Sequence, residues 1–195
     1  METRNITLDL ATAKQWYESG SSFKRELALR AFTEKELTEP DWKKITTFEK
    51  ACEALGIDPV GINLEMIGKS EQVKAIMQLD IIKKALNGNW NPSLNEGELY
   101  YSWCRWYPKG YSYPNNWSKV AEFKDLHNNK TYVLVGGGAC GCYANGLGGL
   151  GCGFGFAFLG FLCCKSKEIA MHLTKYFGKI IFDAIYGQYR NYKWI

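Results

Sequence analysis

A chain of 195 residues, 46% apolar and 23% charged, has the composition of a globular protein with one sizeable core or two small ones. Its net charge of +4 is spread thinly, and its lysines alternate with acids (Glu34, Lys35, Glu36; Glu49, Lys50) as they do on solvated helix faces. No dense basic stripe is present, so nucleic acid is not an expected partner.

In chain order the first part reads as helical. Asp9 caps a helix from Leu10 to Glu18 that ends at Gly20. Ser21 or Ser22 caps the next, Phe23 to Ala31, with Phe23, Leu27 and Ala31 on one face. Thr33 to Glu36 is a capping box for a short turn that Pro40 stops. Thr46 to Glu49 is read as a second box, opening a helix to Leu55 that stops at Gly56. Ile57 to Gly68 is expected to be extended. Ser70 caps a longer helix, Glu71 to Leu86, with Val73, Ile76, Leu79, Ile82 and Leu86 at helical spacing and Asn87-Gly88 as its end.

The texture changes at Trp90. Leu99 to Trp106 is aromatic and strand-favouring, and Pro108, Gly110, Pro114, Asn115 and Asn116 break it into loops. Lys119 to Leu126 and Thr131 to Val135 are further strands, joined by a turn at Asn128-Asn129. Ser166 caps a last amphipathic helix whose buried stripe is Ile169, Leu173, Tyr176, Phe177, Ile180, Ile181, Ala184 and Ile185. The expected fold is α+β: a helical N-terminal region, 1–89, then an aromatic and glycine-rich region, 90–195, forming a small, mostly antiparallel sheet packed by a C-terminal helix.

The stretch Thr131 to Cys164 stands apart. It contains no Lys, Arg, Asp, Glu, Gln, Met, Trp or His. Gly136-Gly-Gly138-Ala-Cys-Gly141 matches G-x-G-x-x-G, but a nucleotide loop needs a helix behind the glycines and an acid about 20 residues on, and the next acid is Glu168. A membrane segment is a second possibility. Leu147 to Cys164 approaches the about 20 apolar residues of a span, with Gly149-x-x-x-Gly153 and Gly151-x-x-x-Gly155 at helix-packing spacing. Tyr143-Ala-Asn145 interrupts the run. A third is a glycine-rich β segment under the last helix, which suits the alternation of Gly and Phe from Gly153 to Phe158.

The seven cysteines are odd in number, and Met1 to Asp9 is polar, without the pattern of a signal peptide. Synthesis in the cytoplasm and reduced thiols are expected. Cys140-Gly-Cys142 and Cys163-Cys164 lack zinc-knuckle spacing, and His127 and His172 sit at no ligand interval from them, so neither metal nor cofactor is expected. No nucleophile–base arrangement has a local signature, and an enzyme is not expected.

The segments Leu8 to Gly20, Leu27 to Leu37 and Phe161 to Ala170 resemble proteins of gut bacteroidete bacteria and their phages. The middle is similar to the variable region of proteins diversified by an adenine-mutating retroelement. That machinery yields NNC codons, which cannot encode Lys, Glu, Gln, Met or Trp, all missing from Thr131 to Cys164. The resemblance implies a C-type-lectin-like frame whose varied side chains bind a protein or glycan, often on a bacterial surface, within a phage particle. Candidate contacts are then Cys140, Cys142, Tyr143, Asn145, Leu147, Leu150, Cys152, Phe154, Phe156 and Phe158. Core packing is the alternative for each. A membrane-associated protein using 133–164 as a span or hairpin is the competing function.

Overall fold

The computed structural model describes residues 8–88, 90, 99–102, 104–115, 117–136, 140–142, 163–187 and 191–195. Packing divides the chain into two compact units, Met1–Pro40 and Asp41–Ile195. The fold class is α+β.

In the first unit α1 (Leu10–Glu18), α2 (Ser22–Ala31) and α3 (Glu34–Thr38) surround a small core of Ala13, Ala28 and Leu37. The caps are those expected. Asp9 accepts from the Thr12 amide at 2.9 Å, Ser21 from Lys24, and Thr33 and Glu36 form the reciprocal box. The face of α2 differs: Phe23 and Ala31 are exposed and Ala28 is buried. Ala13 and Ala28 are both fully buried, so the core of this unit is built on small residues.

In the second unit a single 3-10 turn, Trp42–Lys44, leads to α4 (Phe48–Ala54). Its cap is Thr47, which accepts from the Lys50 amide, so the expected box at Thr46 and Glu49 is displaced by one residue and does not form. Ile57 to Gly68 is not extended. It carries α5 (Pro59–Glu65), because Asp58 accepts from the Val60 and Gly61 amides at 3.0 and 3.1 Å and Pro59 occupies the first helical position. Val60, Leu64 and Ile67 have helical spacing but face outward. α6 (Glu71–Asn87) follows its Ser70 cap. Leu79, Ile82 and Leu86 are buried as expected, whereas Val73 is exposed near the first turn.

The expected single strand from Leu99 is two strands in different sheets, β1 (Leu99–Tyr101) and β2 (Cys104–Pro108). Ser102 marks the break; it is buried and donates its hydroxyl to the Ala170 carbonyl at 2.7 Å. β3 (Ser118–Asp125) and β4 (Thr131–Gly136) form the foreseen hairpin, with Asn129 at φ 60 in its turn. β5 (Cys140–Cys142) and β6 (Cys163–Cys164) flank β1, and a terminal strand, β7 (Tyr192–Trp194), was not foreseen. One sheet runs β5-β1-β6 and the other β2-β4-β3-β7, every pair antiparallel.

β2 and β3 both run antiparallel to β4, so they are parallel to each other and need a crossover. Tyr113 and Trp117 of that connection lie against Tyr107 on the face turned away from the last helix. Val133 and Val135, which alternate with the inward Leu134, are buried on that same face. On the same face Lys109 and Lys119 reach the Glu122 carboxylate at 2.8 and 2.5 Å. Their hydrogen bonds hold it down at about 2.

α7 (Lys167–Tyr186), capped by Ser166, lies between α6 and the four-stranded sheet. Ile169, Leu173, Phe177 and Ile181 meet Leu79, Ile82 and Leu86 in the main core. Phe182 instead joins Phe123, Leu134 and Tyr192 in a second cluster. The expected stripe is thereby corrected: Tyr176 is 43% exposed, and Thr174, Gly178 and Phe182 are buried because the helix is covered on two sides.

Candidate functional site

Of the expected contact residues, Cys140 and Cys142 fall in β5, where Cys142 pairs with Leu99 and Cys140 with Tyr101. Tyr143, Asn145, Leu147, Leu150, Cys152, Phe154, Phe156 and Phe158 lie outside the described residues. The strand that resumes after residues 143–162 is β6, and it pairs with the opposite side of the same β1, Cys163 with Tyr101 and Cys164 with Tyr100. β6 is fixed from behind by Asn87, the last residue of α6. The buried Asn87 amide donates to the Cys163 carbonyl at 3.2 Å, and its oxygen accepts from the Lys165 amide at 3.0 Å.

These pairings bear on two alternatives. Gly141 and Cys142 lie in a strand, so the end of the G-x-G-x-x-G match does not itself open a helix, as phosphate binding at a helix N-terminus requires. Val133 to Gly136, Cys140 to Cys142 and Cys163 to Cys164 are strand residues of the two sheets. Among the described residues no helix is long and apolar enough to cross a membrane.

Cys104, Cys164 and His172 carry groups with catalytic or ligating chemistry, and each is tied into the surrounding structure. Burial pushes the thiols of Cys104 and Cys164 up to about 12, which keeps them protonated and unreactive. His172 Nε2 donates to the Ile45 carbonyl at 2.7 Å, and burial lowers its pKa. Among the described residues no group of three or more His, Cys, Asp or Glu could hold a metal ion.

A second feature, which sequence reasoning missed, is an aromatic cleft of about 210 Å³ between the four-stranded sheet and the C-terminal half of α7. Phe123 and Phe182 are buried within it, and Tyr132 stacks on Phe123 at 5.5 Å and 17°. Trp106 stands edge-to-face with Phe182 at 5.6 Å and with Tyr186 at 4.9 Å. Asp125 and Asn191 supply polar groups. Behind it Asp183 joins α7 to β7: its carboxylate accepts from the Tyr192 hydroxyl at 2.5 Å and from the Trp194 indole at 3.2 Å. The Leu126 amide donates to the Asn191 carbonyl at 2.6 Å, fixing the chain where the cleft residue Asn191 enters β7.

The one sequence signal for this cleft was the alternation Tyr192-Lys-Trp194, a period of two that marks a strand with aromatics on one face. No family model, curated protein or solved structure matches the chain.

Proposed function

We propose that the chain is a non-enzymatic binding protein of a phage or mobile element, and that its glycine-rich stretch carries the ligand contacts. The observation that supports this reading is the double tether on β1. Cys142 and Cys163 are held on opposite sides of one strand, two strand spacings (about 10 Å) across the sheet and offset along it, since Cys142 pairs with Leu99 and Cys163 with Tyr101. Main-chain hydrogen bonds hold both ends, so side chains at 143–162 can change without altering the attachment. Tyr143, Asn145, Phe154, Phe156 and Phe158 offer aromatic area and amide hydrogen bonds, the chemistry that binding loops favour. The partner is a protein or glycan of a bacterial surface. A C-type-lectin-like identity for the frame, and diversification of the stretch, belong to the same proposal.

The test is binding of the labelled chain to a panel of gut bacteroidete cells. Replacing Tyr143 and Asn145 together with alanine is expected to lower binding by about tenfold or more, the loss of one to two contact energies, while the melting temperature stays the same. Binding unchanged by the pair of replacements contradicts the reading. A chain that is monodisperse only in detergent would favour the competing membrane hairpin.

A further inference from the structure

The aromatic cleft takes Tyr132 from the start of the stretch Thr131 to Cys164 but none of the candidate contact residues from Cys140 to Phe158, and its function does not rest on the reading above. We propose that it binds one pyranose ring of a saccharide. Such a ring has two kinds of surface: faces of C–H groups, and an edge of hydroxyls that both donate and accept. A site for it needs an aromatic wall left open to solvent, with uncharged donors and strong acceptors beside it.

The cleft has both. Trp106 alternates inward with Cys104 along β2, yet it remains 41% exposed, held upright against Phe182 and Tyr186 at 89° and 84°. An open indole of this kind is the wall. Asp125 uses Oδ1 to accept from the His127 amide at 2.8 Å, which leaves Oδ2 to accept from a ligand hydroxyl. The exposed Asn191 amide can donate and accept. The Tyr132 hydroxyl accepts from the Asn128 amide at 3.0 Å and keeps its own proton to donate.

Size agrees with a single ring. The volume of about 210 Å³ lies below the roughly 300–1,000 Å³ of pockets for drug-sized ligands. The site is also held in place before any ligand arrives, by the Asp183 bracket on Tyr192 and by the stacked Phe123 and Tyr132, which lowers the ordering cost of binding. An alkylated ammonium ion is the rival occupant, since aromatic rings with a carboxylate also suit a cation. It would make no use of the donors on Asn191 and Tyr132, and so the observations favour the sugar.

The full chain is titrated with methyl glucoside, galactoside, mannoside and N-acetylglucosaminide, their short oligosaccharides, and tetramethylammonium, following indole resonances by NMR. At least one saccharide is expected to shift the Trp106 indole. Trp106→Ala and, separately, Asn191→Ala should each weaken it about tenfold, close to the value of one good contact. Asn191 is exposed, so its variant remains informative if Trp106→Ala melts early. The Tyr143→Ala, Asn145→Ala chain should bind the sugar unchanged, which separates this site from the glycine-rich one. The proposal is overturned if no saccharide in the panel moves Trp106, if binding survives both cleft variants, or if only tetramethylammonium binds.

Discussion

Gly136→Ala should lower the melting temperature by about 6–12 °C. Gly136 ends β4 where the strand meets α7, and a Cβ there would lie 2.0 Å from Thr174 Cγ2. Thr174 cannot rotate away cheaply. It is buried, and its hydroxyl donates to the Ala170 carbonyl at 3.0 Å within the helix. The Val120 Cγ2 on the other side is already at 3.3 Å. Overpacking of this kind costs about 3 kcal/mol, and a unit of this size loses about 2–4 °C per kcal/mol. The double variant with Thr174→Ser removes the clashing methyl and keeps the hydroxyl, and should recover most of the loss. Thermal melts by circular dichroism decide it. A single variant as stable as the parent, or a double variant no better than the single, would show that β4 and α7 are not packed this closely.

Asp183→Ala should cost about 3 kcal/mol, since it removes a charged acceptor from two donors at once. Tyr192 is buried and its hydroxyl has Asp183 at 2.5 Å; the Trp194 indole reaches both carboxylate oxygens. The damage should be local before it is global. β7 is short: it pairs with β3 at Phe123 with Trp194, Lys124 with Lys193 and Asp125 with Tyr192, with one main-chain bond beyond each end, Leu126 to Asn191 and Ile195 to Glu122. Amide exchange in β7 is expected to accelerate far more than in β4, and Trp194 emission to shift red. Asp183→Asn keeps one acceptor and should fall between the two. Equal exchange in parent and Asp183→Ala would mean that the carboxylate does not fasten the strand.

What could be read from the sequence was local. Asp9, Ser21, Thr33, Ser70 and Ser166 cap helices by bonding to amides two or three residues away, so their chemistry is visible in a short window. The division of the chain into helices followed by an antiparallel sheet and a closing helix followed from these signals and from the change in texture. Errors arose where distant partners decide. Asp58-Pro59 starts a helix, but the outward-facing apolar residues of α5 disguised it as an extended run. Ser102 ends β1 because its hydroxyl meets Ala170, 68 residues away. Tyr176 and Phe182 exchanged roles because α7 is covered on two sides, which a single amphipathic stripe does not represent. The cleft is the extreme case: Trp106, Asp125, Tyr132, Tyr186 and Asn191 come from separate elements and have no common spacing. In the glycine-rich stretch, composition identified the segment but not what it contacts.

If the glycine-rich stretch is a diversified binding surface on a constant frame, as we propose, the coding DNA carries the mark of it. The codons from Gly136 to Phe158 would be read, together with the flanking sequence. The codons of the contact positions, Tyr143 and Asn145 among them, are expected to end in C, with a near-repeat differing mainly at adenines beside a reverse transcriptase gene. Mixed codon endings with no such repeat would contradict it.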